Sequence, residues 1–384
     1  MENNELSREE VLRYSRHLMI PEVGLEGQRK LKAASVLLVG TGGLGSPIAL
    51  YLAAAGVGRI GLVDYDIVDS SNLQRQVIHA TSRIDKLKVE SARRQMLDLN
   101  PYIQVETFNE VFNAQNAGPI SSSYDILVDG SDNFPTRYLL NDLAVFTGKP
   151  YIYGSIFRFE GQVSVFDARR GPCYRCLFPE PPPPGLVPSC AEGGVFGVLP
   201  GTIGTLQATE VIKLILGIGE PMIGKLLLYD ALDTSFQIVK LRKNPACKVC
   251  GESPQITELI DYEAFCGVPA RDDHQGISTP WDTGPQELAA RLKQDVPPIL
   301  IDVREPVEQQ ISSLPGSLSL PLGQLNLHLA ELDPSREYVL FCRTGVRSLQ
   351  AIQIMHTAGF KNLQNLRGGI NAWAKQVDTG MFQY

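Results

Sequence analysis

The sequence predicts an α/β protein in two parts: a mostly parallel, doubly wound sheet with a structural metal site, then a smaller α/β domain. Three observations carry this. Short β-branched runs alternate with helical stretches, two Cys-x-x-Cys pairs stand 70 residues apart within the first part, and residues 267–285 (GVPARDDHQGISTPWDTGP) are rich in Gly, Pro, Asp and Ser with no apolar period, as an exposed connector would be. The reading places one domain at residues 1–252, a linker at 253–283 and a second domain at 284–384. A chain of 384 residues is long enough for two or three cores.

Residues 36–39 (VLLV) read as a strand, a glycine-rich turn follows, 47–55 is small and apolar like a packed helix, and 60–63 is a second strand, which makes a βαβ unit. The rhythm returns with a strand at 124–129, a helix at 136–146 and strands at 150–153 and 162–166. Beyond the connector, 299–303, 317–320 and 338–341 read as strands, and 286–293 and 347–358 as helices.

Composition narrows the function. With 43% apolar, 20% charged and 8% aromatic residues, the chain is an ordinary globular one. Its 35 Lys and Arg against 42 Asp and Glu leave a net charge of -7, the wrong sign for a nucleic-acid footprint. Runs such as 36–39 and 226–229 fall far short of the ~20 apolar residues of a membrane span, and the acidic, polar start (MENNE) is unlike a signal peptide. A cytoplasmic protein with neither nucleic acid nor membrane as partner is expected. Seven cysteines, four of them in Cys-x-x-Cys pairs, fit metal binding and thiol chemistry in a reducing compartment.

Gly40-Thr41-Gly42-Gly43-Leu44-Gly45 fits G-x-G-x-x-G between a strand and a helix, where free amides and the helix dipole can hold phosphate. Asp64 ends the next strand, where a ribose hydroxyl would sit. Taken alone, this motif favours an NAD-dependent dehydrogenase. The residues that follow favour ATP: Asp66, the run Ser71-Asn72-Leu73-Gln74-Arg75, Lys88 and the pair Asp132-Asn133 supply cations for three phosphates and a carboxylate for magnesium. Any one of them alone could be solvated surface or an ion pair.

Cys173, Cys176, Cys247 and Cys250 offer four thiolates, a closed tetrahedral zinc site with no open catalytic position; a redox Cys-x-x-Cys is the alternative. Residues 178–185 (FPEPPPPG) cannot join a helix or central strand and read as an extended, exposed segment. It leads to Cys190, which is either a buried small hydrophobe or an exposed nucleophile; its place after the proline run favours exposure. Cys266 reads as structural. Cys342 ends a strand in Phe341-Cys342-Arg343-Thr344-Gly345-Val346-Arg347-Ser348 and enters a helix through a short loop, where amides, a helix N-terminus and two arginines can favour a nucleophilic thiolate. By itself this loop also fits a tyrosine-phosphatase-like site.

Two resemblances resolve these alternatives. The segment Arg13-Tyr14-Ser15-Arg16, the turn VGTGGLGS, LVDYD, SNLQRQ, the Asp132-Asn133 pair and both Cys-x-x-Cys motifs, spread over residues 6–252, resemble the MoeB/ThiF family of ubiquitin-activating-type adenylyltransferases. The flanks DVREP (302–306), LPGS (314–317) and LRGGINAW (366–373) resemble a rhodanese domain over 284–384, with Ser312-Ser313 departing from the Gly-His pattern expected before LPG. The resemblance implies ATP-dependent adenylation of the C-terminal Gly-Gly carboxylate of a ubiquitin-like sulfur carrier, of the molybdopterin-synthase small-subunit type, followed by sulfur transfer from a Cys342 persulfide to give a thiocarboxylate. It implies that Gly43 lies against the nucleotide, Asp64 binds ribose, Asn72, Arg75 and Lys88 contact phosphates, Asp132 holds magnesium, and Cys190 forms a thioester or resolves an acyl disulfide. Arg16 would reach the triphosphate of a partner subunit in a homodimer. The sulfur donor is expected to be thiosulfate or a cysteine desulfurase. A dehydrogenase fused to a phosphatase, or a non-catalytic scaffold that binds a ubiquitin-like partner, are the rival readings.

Overall fold

The computed structural model describes residues 5–183, 193–267 and 280–383. The chain divides into two compact units, Met1–Ala270 and Arg271–Tyr384.

The first unit opens with α1 (Arg8–Arg13), α2 (Ser15–Leu18) and α3 (Gly24–Ala33). Ser7 and Glu10 close a reciprocal capping box at the start of α1, because each side chain accepts the backbone amide that the other residue's turn leaves free. An eight-stranded sheet follows in the order β3-β2-β1-β4-β5-β6-β7-β8. Its strands are β1 (Ser35–Val39), β2 (Arg59–Val63), β3 (Gln104–Phe108), β4 (Ile126–Asp129), β5 (Tyr151–Phe157), β6 (Glu160–Phe166), β7 (Lys225–Asp230) and β8 (Ser235–Lys240). Pairings from β3 to β5 are parallel, whereas those from β5 to β8 are antiparallel, so the parallel part is the nucleotide-fold half only. The connectors between parallel strands include α4 (Gly45–Ala55), α5 (Lys88–Leu99), α6 (Ala117–Ser121) and α7 (Phe134–Thr147).

Helices cover the parallel strands on both faces, which is why β1 and β4 are apolar nearly throughout and buried at every position. One core packs α4, α5 and the helix Leu199–Leu216 onto Val36, Leu38, Ile60, Leu62 and Val128; the other packs α7 onto Leu37, Val39, Leu127, Tyr151 and Tyr153. Strand order reverses between β1 and β4, the place where open α/β sheets leave a crevice beyond their carboxyl ends.

The expected linker at 253–283 begins too early. Residues 253–267 fold onto the first unit: Tyr262 and Cys266 are buried in its second core, and Tyr262 donates a 2.8 Å hydrogen bond to Asp142. Polar, Pro- and Gly-bearing composition marks this stretch as irregular but not as unpacked. At its other end, β9 (Asp282–Thr283) already pairs within the second sheet.

The second unit holds a five-stranded parallel sheet in the order β11-β10-β12-β13-β9, with β10 (Ile299–Asp302), β11 (Leu318–Ser319), β12 (Tyr338–Phe341) and β13 (Leu363–Leu366). Cores lie on both faces, one built on Ile301, Leu340, Ala351, Ile352 and Met355, the other on Leu300, Val339, Phe341, Ile370 and Trp373. No described helix is long and apolar enough to cross a membrane.

Candidate active sites and metal centre

Three glycines make the crevice between β1 and β4 possible. Gly40 has φ +93°, which L side chains rarely adopt, and a Cβ on Gly45 or Gly130 would come within 2.0 or 2.3 Å of the Gly40 carbonyl oxygen. The turn therefore enters α4 with its backbone bare. Gly43 lies against Pro200, where a Cβ would be 3.2 Å from Cγ.

Asp64, just past β2, is joined to this turn. Its Oδ2 accepts from the Thr41 amide at 2.8 Å and the Thr41 hydroxyl at 2.9 Å, and Oδ1 accepts from the Asp66 amide at 3.0 Å. A carboxylate has about four acceptor positions, so capacity for a further donor remains. Lys88 is buried at the start of α5, with its ammonium 2.9 Å from the half-exposed Asp66 carboxylate.

Ser71 and Asn72 belong to the 3-10 turn Ser70–Asn72, held by Asp69, which accepts from the Ser71 amide and hydroxyl at 2.7 and 2.6 Å. Leu73, Gln74 and Arg75 follow directly; Gln74 packs against Gly197, and Arg75 donates to the Ser71 carbonyl at 3.4 Å. The segment is tied to the glycine turn by a residue that sequence reasoning missed. His79 is buried, its Nε2 3.1 Å from the Thr41 carbonyl and its Nδ1 2.9 Å from the Ser91 hydroxyl. A carbonyl only accepts, so Nε2 carries the proton and Nδ1 accepts from Ser91. Burial, with Lys88 and Arg83 nearby, pushes the imidazole down to about 4 and keeps it neutral.

Asp132 is exposed and Asn133 caps α7, its side chain accepting from the Thr136 amide at 3.0 Å. Capping occupies Asn133, while Asp132 has no hydrogen bond or ion pair among the described residues. Beneath them Asp129 is fully buried; Ser131 and Tyr151 donate to it, while burial raises its pKa. Arg16 is exposed on α2, with no ion pair among the described residues. Cys190 lies outside the described residues.

The four sulfurs of Cys173, Cys176, Cys247 and Cys250 lie within 4.8 Å of one another, with pairs at 3.4, 3.6 and 3.9 Å. Tetrahedral zinc with Zn–S bonds of about 2.3 Å requires sulfurs roughly 3.8 Å apart, so this donor set fits zinc. Arg175, between the first two ligands, is fully buried and donates Nε and Nη2 to the two oxygens of Asp142 at 2.8 Å each; Tyr262 completes the cluster. Cys266 is buried nearby, and burial pushes its thiol up to about 12, which fits its structural reading.

In the second unit Cys342 is buried, and its sulfur accepts from the Gly345 amide at 3.1 Å. Gly345 has φ +99°, and Gly368 and Gly369 wrap the loop so closely that a Cβ on Gly369 would sit 2.4 Å from the Cys342 carbonyl oxygen. The Ser348 hydroxyl lies 3.5 Å from the sulfur and 2.6 Å from Asn365 Oδ1, while Asn365 donates to Asp282 at 2.7 Å. One expected contribution is tempered: the two Nη groups of Arg347 pair with Glu308 at 2.7 and 2.6 Å, so its charge is largely balanced by a carboxylate. At the Ser312-Ser313 departure, Arg304 donates to the backbone carbonyl of Ser312 at 2.8 Å, a contact that does not depend on the side chain there.

Residues 14–249 match the ThiF family, and residues 284–376 match the rhodanese-like domain. The chain belongs to the ThiF family. It is 51% identical over 99% of its length, and 96% of the relative's, to a probable adenylyltransferase/sulfurtransferase MoeZ of Mycobacterium tuberculosis. The adenylyltransferase and sulfurtransferase MOCS3 of Drosophila yakuba is 43% identical over 98% of this chain and 85% of its own. A sulfur carrier protein adenylyltransferase of Thermus thermophilus is 54% identical, covering 68% of this chain and 98% of that protein. Among solved structures, E. coli MccB with ATP superposes with a TM-score of 0.55 at 26% identity over 62% of this chain and 73% of that one.

This ThiF-family chain is thus an enzyme with adenylyltransferase and sulfurtransferase activities, from an ATP-using family, and nothing supports the fusion of a dehydrogenase with a phosphatase. Its four-cysteine centre suits structural zinc.

Proposed function

We propose that the first domain adenylates the C-terminal Gly-Gly carboxylate of a ubiquitin-like sulfur carrier, of the kind that serves molybdenum cofactor biosynthesis, and that the second delivers sulfur to it. The observation that carries this reading is the bonding of Asp64 and His79 to one bare glycine turn, with Lys88 paired to Asp66 beside it, in a chain that also holds a cysteine loop with an inward amide. The relatives named as sulfur carrier adenylyltransferase and as sulfurtransferase support it.

A carboxylate resists attack because its charge repels nucleophiles. Transfer of AMP from ATP removes that charge, releases pyrophosphate and installs a leaving group. Gly43 would lie against the nucleotide, Asp64 would bind its ribose, and Ser71, Asn72, Leu73, Gln74, Arg75 and Lys88 would surround the phosphates. A well-placed donor to the developing charge is worth roughly 3 to 4 kcal/mol. Magnesium, held by Asp132, would neutralise phosphate charge. Arg16 would serve the neighbouring site of a homodimer.

The terminal sulfur of a Cys342 persulfide would then attack the acyl carbon and displace AMP, leaving an acyl disulfide. A second thiolate, assigned to Cys190, would attack Sγ of Cys342 and release the carrier thiocarboxylate. The resulting Cys190–Cys342 disulfide would be reduced by two equivalents of an external thiol, which leave as their own disulfide, and the persulfide renewed from thiosulfate or a cysteine desulfurase in the cytoplasm.

Carrier-dependent exchange of pyrophosphate into ATP tests the first step, and mass spectrometry of the carrier, which gains the difference between sulfur and oxygen, tests the second. Asp132→Ala is expected to abolish exchange. Cys342→Ala is expected to keep exchange and lose thiocarboxylate formation. Unchanged exchange in the first variant, or thiocarboxylate formed by the second without added sulfide, would refute the respective assignment.

A further inference from the structure

One strong cation in the first unit has neither a hydrogen bond nor an ion pair among the described residues. Arg137 is 8% exposed, and its guanidinium lies 5.4 Å from the Phe134 ring centroid and 5.7 Å from that of Tyr153. Contact with a residue three positions earlier shows that the side chain folds back toward the N-terminus of α7. Its Nε is buried with no acceptor in reach. The two other deeply buried arginines behave differently: Arg175 pairs with Asp142, and Arg304 with Asp302.

The adjacent carboxylate does not satisfy it. Asp129 attracts Arg137 through space, but its oxygens accept from the Ser131 amide at 2.9 Å, the Ser131 hydroxyl at 2.6 Å and the Tyr151 hydroxyl at 2.8 Å. Buried donors left without acceptors are costly and rare. A buried guanidinium with unused donors, beside the amide end of a 14-residue helix, is a receptor for an anion that arrives from outside.

We infer that Arg137 holds the C-terminal carboxylate of the carrier before adenylation, an assignment that rests on the function proposed above. A planar guanidinium suits a carboxylate, which it can bind with two parallel hydrogen bonds. The other cations of the crevice, Arg75 and Lys88, belong to the side of the sheet switch formed by β1 and β2, whereas Arg137 stands beyond β4 and over β5. The two groups divide the reactants between them: nucleotide phosphates on one side, acid terminus on the other. Forming the acyl-adenylate removes the carboxylate charge, so the pairing weakens at the moment the acyl group must become available to sulfur.

The test compares a molybdopterin-synthase small-subunit carrier ending in Gly-Gly acid with the same protein ending in Gly-Gly amide. Each is titrated calorimetrically into the full-length enzyme without nucleotide. Wild type is expected to prefer the acid by at least about tenfold, the effect of one charge-assisted hydrogen bond. Arg137→Gln should bind acid and amide alike and raise the KM for carrier with little change in that for ATP, and Arg137→Lys should restore part of the preference. Equal binding of both forms by wild type, which needs no variant, overturns the inference. So does an Arg137→Gln enzyme that keeps its preference for acid or loses affinity for a non-hydrolysable ATP analogue instead. If neither carrier form binds and the acid form supports no pyrophosphate exchange, the proposed substrate itself fails.

Discussion

The neutral histidine beneath the glycine turn makes stability depend on pH in a way that can be calculated. His79 titrates at about 4 in the folded protein, against about 6.5 when unfolded. Because the folded value is the lower one, the unfolded chain takes up the proton first as pH falls, and stability is lost between about pH 6.5 and about pH 4. Linkage over about pH 7.5 to about pH 5 gives a loss near 2 kcal/mol, and residual solvent contact of the ring reduces this to about 1 to 2 kcal/mol. Replacement by Gln removes the titration while keeping an amide donor and acceptor for Thr41 and Ser91. Urea unfolding of the first unit, followed at both pH values for wild type and His79→Gln, isolates the effect, because carboxylates and zinc thiolates contribute equally to both proteins. The variant should lose about 1 to 2 kcal/mol less than wild type on acidification. Identical losses would refute a neutral, desolvated imidazole at this position.

Other consequences follow from the same packing. Purified protein should contain about one zinc per chain, and Cys247→Ser should lower both zinc content, read by atomic emission, and the melting temperature. Asp142→Asn leaves the buried Arg175 guanidinium unneutralised and should destabilise the first unit by about 3 to 5 kcal/mol. Pairing it with Arg175→Met, which removes the stranded charge, should recover a large part of the loss in the same denaturation assay.

Local pattern was enough for much of the molecule. The run VLLV, the glycine turn and the apolar stretch after it form β1, the Gly40–Gly45 turn and α4 because strand length, left-handed backbone and helix packing are demands that neighbouring residues meet by themselves. Each Cys-x-x-Cys pair was legible for the same reason, and so was the Cys342 loop, whose strand, glycine and helix start are consecutive.

Partners brought together from distant segments were not legible. His79 carries no local signature; it matters because it lands between Thr41 and Ser91. Arg347 looked available to Cys342 until folding supplied Glu308, 39 positions away. Residues 253–267 looked like a connector, yet Tyr262 meets Asp142, 120 positions earlier. Sequence thus determined which backbone shapes form and which chemical groups they carry. Tertiary structure decided which of those groups lose water and which charges are neutralised, since desolvation and pairing depend on neighbours in space rather than along the chain.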